Sequence, residues 1–189
     1  MELPEYQAEQ IEQYSNLQTK NELSVAIRPI VDKAESDKYF GVDLLEANIL
    51  ALFVVAENVG TSSSFVISKE DFALGGRGIF GDELARDERV GAEGSGKAVA
   101  ITGAVLISPL FMFAGAKMIS DATIIKHNMT TKELARRTIS PGGRVEGFVY
   151  FELPQGSVAS AEPLSLLVEV MRLQDGSLTH FEFDVEVKR

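Results

Sequence analysis

Short β-type segments separated by turn signals recur along most of this chain. Residues 180–187 alternate apolar and polar side chains without a break, which predicts a strand with one dry and one wet face. Residues 49–56 are apolar throughout and precede the turn residues Glu57-Asn58-Val59-Gly60. A run of this kind is typical of a strand buried on both faces, so we expect it to lie in the core.

Similar patterns predict further strands elsewhere in the chain, at 23–30, 65–68, 72–74, 144–153 and 164–173. Pro29 places the first of these near a sheet edge, because proline cannot donate to a ladder. Most of the connections are short, which favours antiparallel pairing. The class predicted is mainly β, an immunoglobulin-like antiparallel β-sandwich carrying an inserted apolar α-helical hairpin.

The predicted domain spans residues 21–189 and follows a helical lead-in over residues 1–20, where apolar positions roughly match helical spacing. Two segments interrupt the sandwich. Residues 75–96 hold seven of the 16 glycines and eight charges, and they predict a mobile loop because they bury too little apolar surface to offset ordering. Residues 97–138 predict a helical insertion.

Composition excludes several classes of function. The net charge of −10 argues against a nucleic-acid partner, since phosphate binding needs a surplus of basic residues. Without cysteine the chain cannot form disulfides, thiolate metal sites or a thiol nucleophile. The residues Met1-Glu2-Leu3-Pro4-Glu5 have neither a basic nor an apolar leader region, so we expect no signal peptide in this sequence.

The insertion contains 19 consecutive uncharged residues, 98–116, between Lys97 and Lys117. As a helix this stretch would span roughly 28 Å, close to the bilayer hydrocarbon thickness of about 30 Å. Pro109 would kink the helix or mark the turn of a helical hairpin. Entry into a membrane or a membrane-like oligomer, burial as a soluble hairpin, and a β-hairpin are the alternatives.

We predict that large apolar side chains of this stretch contact a bilayer or a partner's groove, because a monomer should not leave such side chains in water. They are Leu106, Ile107, Leu110, Phe111, Met112 and Phe113.

Five sequence elements carry a resemblance to a known group of proteins. They are Tyr39-Phe40-Gly41-Val42-Asp43-Leu44, the buried strand ending in Glu57-Asn58, the uncharged stretch, Lys132-Glu133-Leu134, and Ser140-Pro141-Gly142 leading to Gly147-Phe148-Val149-Tyr150-Phe151. Together they resemble uncharacterised bacterial cell-envelope lipoproteins. The resemblance implies an immunoglobulin-like domain with a hydrophobic helical insertion, and it implies no catalytic residue. This chain lacks the N-terminal cysteine that carries the lipid in such proteins.

Two glycine-rich motifs bear on nucleotide binding. Residues 76–81 match G-x-G-x-x-G, but no buried parallel strand precedes them. Residues 91–97 match a P-loop up to Lys97, yet Ala98 stands where a hydroxyl would bind magnesium, and six charges in 82–90 replace the required buried strand. We read both motifs as loop sequence and keep a nucleotide-binding enzyme using 91–97 as an alternative.

The remaining candidates for chemistry are few. His127 and His180 are the two histidines, and we interpret both as solvated. Glu182, Asp184 and Glu186 alternate along one strand, so they cannot wrap a calcium ion. No catalytic residue, metal site or cofactor is therefore predicted.

The sequence predicts a non-enzymatic interaction or structural protein of the bacterial periplasm or cell envelope. It would be membrane-associated, with a membrane or an envelope protein as its partner. The alternative is a soluble homo-oligomer, a ring or a pore, assembled through the insertion.

Overall fold

The computed structural model describes residues 3–76, 105–107, 122–154 and 163–187. In these ranges the chain is mainly β, with two antiparallel sheets and two α-helices. The strands are β1 Leu17–Lys20, β2 Leu23–Ile30, β3 Ile49–Asn58, β4 Phe65–Ile67, β5 Phe72–Gly76, β6 Val105–Ile107, β7 Arg137–Ile139, β8 Arg144–Glu152, β9 Leu164–Arg172 and β10 Leu178–Val185. The helices are α1 Lys33–Phe40 and α2 Ala122–Lys132, and 3-10 turns cover Ile11–Gln13 and Lys69–Asp71.

Sheet A has the strand order β1-β2-β3-β8-β6, and all its pairs are antiparallel. Sheet B begins with β10 and β9. The other edge of β9 is shared by β5 and β4, and β7 pairs with β4. The two sheets therefore leave β1 and β6 as the edges of sheet A, and β10 and β7 as edges of sheet B, within the described ranges.

The inner core fills the space between the two sheets. Alternate residues of β2, β3 and β8, such as Val25, Leu52 and Val149, pack against the dry sides of β9 and β10. Phe181 and Phe183 on β10 are buried there, while Glu182 and Asp184 are exposed. The prediction of one dry and one wet face for the last strand is thus confirmed.

A second core covers the outer face of sheet A. The other set of alternate residues on the same strands, including Phe53, Val55, Phe148 and Tyr150, packs against α1, α2 and the chain before β1. The β3 strand is consequently buried on both faces over nearly all of its ten residues. This confirms the prediction made from the unbroken apolar run.

The N-terminal part of the fold differs from the sequence-based expectation. The lead-in over 1–20 is described from residue 3, and it contains extended chain, one 3-10 turn and β1 instead of a regular helix. The β1–β2 hairpin turns at Asn21 and Glu22, both with positive φ, as a tight two-residue hairpin requires. The β2 strand pairs with β3 along its whole length, whereas β1 pairs only with residues 23–26 of β2. Pro29 lies beyond the part that β1 covers, where its missing amide donor costs no strand pairing.

The prediction of an apolar helical hairpin is wrong. Val105, Leu106 and Ile107, in the middle of the uncharged stretch, form β6 and pair with Tyr150–Glu152 of β8. Two of these three residues are β-branched, which favours a strand, and Pro109 follows closely and cannot continue a helix. The rest of the uncharged stretch lies outside the described residues, as does the predicted loop 75–96 beyond Gly76.

Asn58 joins the end of β3 to two neighbouring loops. Its buried side chain donates from Nδ2 to the carbonyl oxygens of Ser63 at 2.7 Å and Ile139 at 3.1 Å. Its Oδ1 accepts from the Gly60 amide at 3.0 Å. Because all three partners are main-chain groups, this one side chain fixes the turn after β3 and the end of β7.

We expect Asn58→Ala to lower the free energy of unfolding by about 2–3 kcal/mol, because it leaves buried main-chain groups without partners. Urea denaturation measures this loss. Asn16→Ala is the control, since its side chain makes a 3.5 Å bond at the surface and its loss should cost less than about 1 kcal/mol. Equal losses in the two variants would contradict the role given to Asn58.

Gly147 allows the chain after α2 to cross close to β8. A Cβ at this position would lie 2.7 Å from the Leu134 Cα and 2.9 Å from its nitrogen. The Leu134 amide donates to the Phe148 carbonyl at 2.8 Å. A side chain on residue 147 would therefore push the 133–134 segment off the sheet.

Gly147→Ala should destabilise the protein by about 1–3 kcal/mol, the range for forced overpacking. It should also speed hydrogen exchange at the Leu134 amide. Gly142→Ala is the matched control, because nothing lies within 4 Å of its Cβ and the strain comes only from its φ of +69°. Unchanged exchange at Leu134 in Gly147→Ala would show that the close crossing does not depend on glycine.

Candidate functional site

The predicted contact residues are divided by the structure. Leu106 and Ile107 lie in the edge strand β6, opposite Phe151 and Tyr150 of β8. Leu110, Phe111, Met112 and Phe113 lie outside the described residues. Across the described ranges no helix is both long and apolar enough to cross a bilayer. The contact role of these six residues stays a prediction.

The C-terminal part of the predicted insertion belongs to the protein's own interior. Ile125 and Met129 of α2 are buried in the outer core, and Leu134 is buried in the inner one. The Tyr150 hydroxyl donates to the Met129 carbonyl at 3.1 Å and ties α2 to sheet A. Burial raises the pKa of Tyr150 well above its ordinary value, so the phenol keeps its proton and remains a donor. Residues 122–138 are thus part of the fold.

The two histidines have different surroundings. His127 is exposed on α2. His180 is only half-exposed, and its Nε2 lies 2.9 Å from the Glu169 Oε1 on the neighbouring strand β9. His180 is therefore half of a cross-strand ion pair when protonated, where the sequence suggested an ordinary solvated residue.

The acidic side chains of β10 lie on the wet face of sheet B, as predicted. Glu182 accepts a hydrogen bond from the Ser165 hydroxyl at 2.8 Å. No group of three or more potential metal ligands occurs within the described ranges. Residues 91–97 lie outside those ranges, and of the motif at 76–81 only Gly76 is described, at the end of β5.

A groove on the outer face of sheet A is a candidate site that the sequence did not indicate. We call residues 3–16 the strap and the surface beneath them the outer groove, which is formed by Arg28, Tyr39, Phe53 and Phe148. The Tyr6 ring centroid lies 4.2 Å from that of Phe53, 4.9 Å from Tyr39 and 5.4 Å from Phe148. Such aromatic contacts stabilise beyond the area they bury, so Tyr6 is one anchor of the strap, beside the more deeply buried Ile11 and Tyr14.

Hydrogen bonds also hold the strap against the fold. Arg28 donates to the Tyr6 hydroxyl and also pairs with Glu35 of α1 at 2.9 Å. Arg144 donates to the Glu9 carbonyl at 2.7 Å, and the Glu9 amide donates to the Tyr14 hydroxyl at 3.2 Å. Burial raises the pKa of Tyr6, while the Arg28 guanidinium opposes the rise.

The spacing of Tyr6, Ile11 and Tyr14 could have revealed the strap only in part. It resembles helical periodicity, and all three side chains do face the protein. The chain brings them there through the 3-10 turn Ile11–Gln13, whose flanking residues Gln10 and Tyr14 are extended. Sequence periodicity reports which residues are buried, and the path between them depends on the partner surface.

A seam joins the facing edges of the two sheets. Three alternate side chains of residues 16–20 donate to carbonyl oxygens of β10. The pairs are Asn16 to Asp184 at 3.5 Å, Gln18 to Glu182 at 2.5 Å and Lys20 to His180 at 2.8 Å. A shallow cleft of about 400 Å³ lies along this seam, lined by Ser15, Asn16, Leu17, Gln18, Glu182, Phe183 and Asp184. These three hydrogen bonds occupy outward carbonyl groups of the edge strand β10. Unoccupied, such groups could pair with a strand of another chain.

No protein family, curated protein or solved structure matches this chain. The candidate sites are accordingly defined by their own geometry. They are the β6 edge, the outer groove and the seam.

The seam predicts the effect of a single isosteric change. Gln18→Glu replaces the donating amide with a carboxylate facing the Glu182 carbonyl, and should lower the free energy of unfolding by about 1 kcal/mol at neutral pH. Urea denaturation with Gln7→Glu as the control tests this, because Gln7 is exposed on the strap. Equal stability of the two variants would show that the Gln18 hydrogen bond contributes nothing to the free energy of unfolding.

Proposed function

We propose that this chain is a non-enzymatic interaction module of the cell envelope that attaches to a membrane or partner protein through the uncharged residues 98–116. The observation that supports this proposal most is that the chain's own described elements already cover both faces of sheet A. Sheet B covers the inner face, and the strap, α1 and α2 cover the outer one. Sheet A therefore needs no further apolar cover from this stretch.

The position of β6 supports the same proposal. Within the described ranges this strand lies at the edge of sheet A, and it comes from the middle of the uncharged stretch. Each large apolar side chain that leaves water there contributes about 1.5–3 kcal/mol. By this measure Phe111, Met112 and Phe113 together would contribute enough free energy for attachment.

The finer fold assignment belongs to this proposal as well. Two antiparallel sheets share one inner core, and the strand residues alternate between that core and the other face. These properties support an immunoglobulin-like β-sandwich. Such a domain offers sheet edges at which a partner can bind.

The test compares the wild type with Phe111→Asp/Phe113→Asp in two measurements. One is flotation with lipid vesicles, and the other is mass by light scattering with and without detergent. We expect the wild type to float with vesicles or to self-associate, and the double variant to lose that property. Leu178→Asp is the control, because Leu178 is an exposed apolar residue of β10 and its replacement should leave both properties unchanged.

The two measurements separate the kinds of attachment. Loss of flotation identifies a membrane as the partner, and loss of mass identifies a second copy, the homo-oligomer. A wild type that neither floats nor associates, combined with a double variant destabilised by several kcal/mol, would contradict the proposal. That result would place the two phenylalanines inside the protein's own core.

A further inference from the structure

A short stretch of chain at β7 is exposed along its whole length, although both of its ends are fixed. We call residues 135–138 the β7 edge segment. Before it, Leu134 is buried in the inner core and its amide donates to the Phe148 carbonyl at 2.8 Å. After it, Ile139 is buried and its carbonyl accepts from the Asn58 Nδ2 at 3.1 Å. The residues between these anchors are therefore held in place without being covered, which preorganises them for binding.

One side of the β7 edge segment is paired and the other side is open. The β7 strand pairs with β4 on one side and is the last strand of sheet B in the described order. Residues 135–138 form no further main-chain hydrogen bond with any residue that the structure describes. Such an edge presents free amide and carbonyl groups, to which a partner can add a strand.

Two unpaired arginines give this edge a positive charge. The other arginines that the structure describes, Arg28, Arg144 and Arg172, each pair with a carboxylate within 3.5 Å. Arg136 and Arg137 are exposed, and neither forms an ion pair in the described part of the chain. In a chain of net charge −10, an edge with two free cations favours an acidic partner over a neutral or basic one.

The neighbouring acidic groups do not neutralise these arginines. Burial raises the pKa of Asp71, and the charge of Arg136 opposes that rise without forming an ion pair. The Asp71 Oδ2 instead accepts from the Ser68 amide at 2.6 Å and from the Ser68 hydroxyl at 3.2 Å. Glu133, just before the edge segment, pairs with Lys69 at 2.9 Å. Both carboxylates are thus engaged elsewhere, and the two guanidinium groups are available to a partner.

We propose that the β7 edge segment is a docking site for an extended acidic segment of a partner protein, which adds a strand to sheet B and pairs its carboxylates with Arg136 and Arg137. Adjacent side chains of a strand point to opposite faces, so the fitting segment carries two consecutive acidic residues between β-forming residues. Main-chain hydrogen bonds give affinity in this mode of binding, and the side chains give selectivity. The site is additional to attachment through residues 98–116.

Binding of a fluorescent peptide to the full chain tests the proposal. The probe is Thr-Val-Thr-Glu-Glu-Thr-Val-Thr. In one control peptide lysines replace the two glutamates, and in the other prolines replace every threonine and valine. The proline peptide keeps the charge but cannot form a ladder. Fluorescence anisotropy should show the probe binding at least about tenfold tighter than either control, with an affinity that falls as salt is raised.

Protein variants test the role of the two arginines. Arg136→Gln/Arg137→Gln should weaken binding of the probe by about three- to tenfold, because each exposed ion pair contributes modestly. Lys38→Gln/Lys126→Gln is the matched control, since it removes the same charge from α1 and α2. It should change the affinity by less than about twofold, because salt screens distant charges. Equal affinities of the two double variants would overturn the proposal.

Hydrogen exchange tests the strand addition itself. The amides of residues 136–138 should exchange more slowly when the probe is bound, because the edge is then paired. Unchanged exchange there, or equal binding of the probe and the proline peptide, would overturn the proposal. It would also be overturned by a wild type that binds no probe while Arg136→Gln/Arg137→Gln self-associates. The arginines would then protect this edge against pairing between copies.

One further variant separates this site from attachment through residues 98–116. Phe111→Asp/Phe113→Asp should bind the probe as tightly as the wild type does, whatever its behaviour with vesicles, since the β7 edge segment is unchanged. Loss of probe binding in this variant would show that the peptide binds through the uncharged stretch, and docking at β7 would be rejected.

Discussion

Burial of β3 on both faces is the constraint on which the rest of this structure depends. An unbroken apolar strand in an antiparallel sheet needs a cover on each side. Sheet B supplies one cover, and a layer made of the strap, α1 and α2 supplies the other. The sheet is consequently the middle of three layers. The β6 edge and the seam lie at edges of the sheets, and the outer groove lies between sheet A and the strap.

The three sites differ in the kind of contact that they offer. The β6 edge continues into uncharged sequence, which favours a lipid or protein partner. The outer groove is aromatic, and the strap occupies it through the Tyr6 ring. The seam is closed by the protein's own amide and ammonium groups, and this closure protects β10 from unwanted strand pairing. The proposed attachment therefore concerns the rim of sheet A, and the strap covers its outer face.

Strand positions could be predicted from the sequence, whereas the layer over sheet A could not. The run at 49–56 and the alternation at 180–187 report local burial, and the structure confirms both. The expected helix is absent at Val105–Ile107, which pair with β8. Hydropathy measures apolar content and does not report strand pairing. The outer groove joins Tyr6 to Phe148, and the seam joins Gln18 to Glu182. Contacts so distant in sequence leave no periodic signal.

Native-state hydrogen exchange of the β3 amides tests the three-layer account most directly. If both faces of β3 are covered by the chain itself, the amides of residues 52–55 should exchange only through global unfolding, with the free energy measured by denaturation. The α2 and strap amides should open at lower free energies. Exchange of the β3 amides through a partial opening, as easily as α2, would show that the outer cover is not part of the stable fold and would contradict the account.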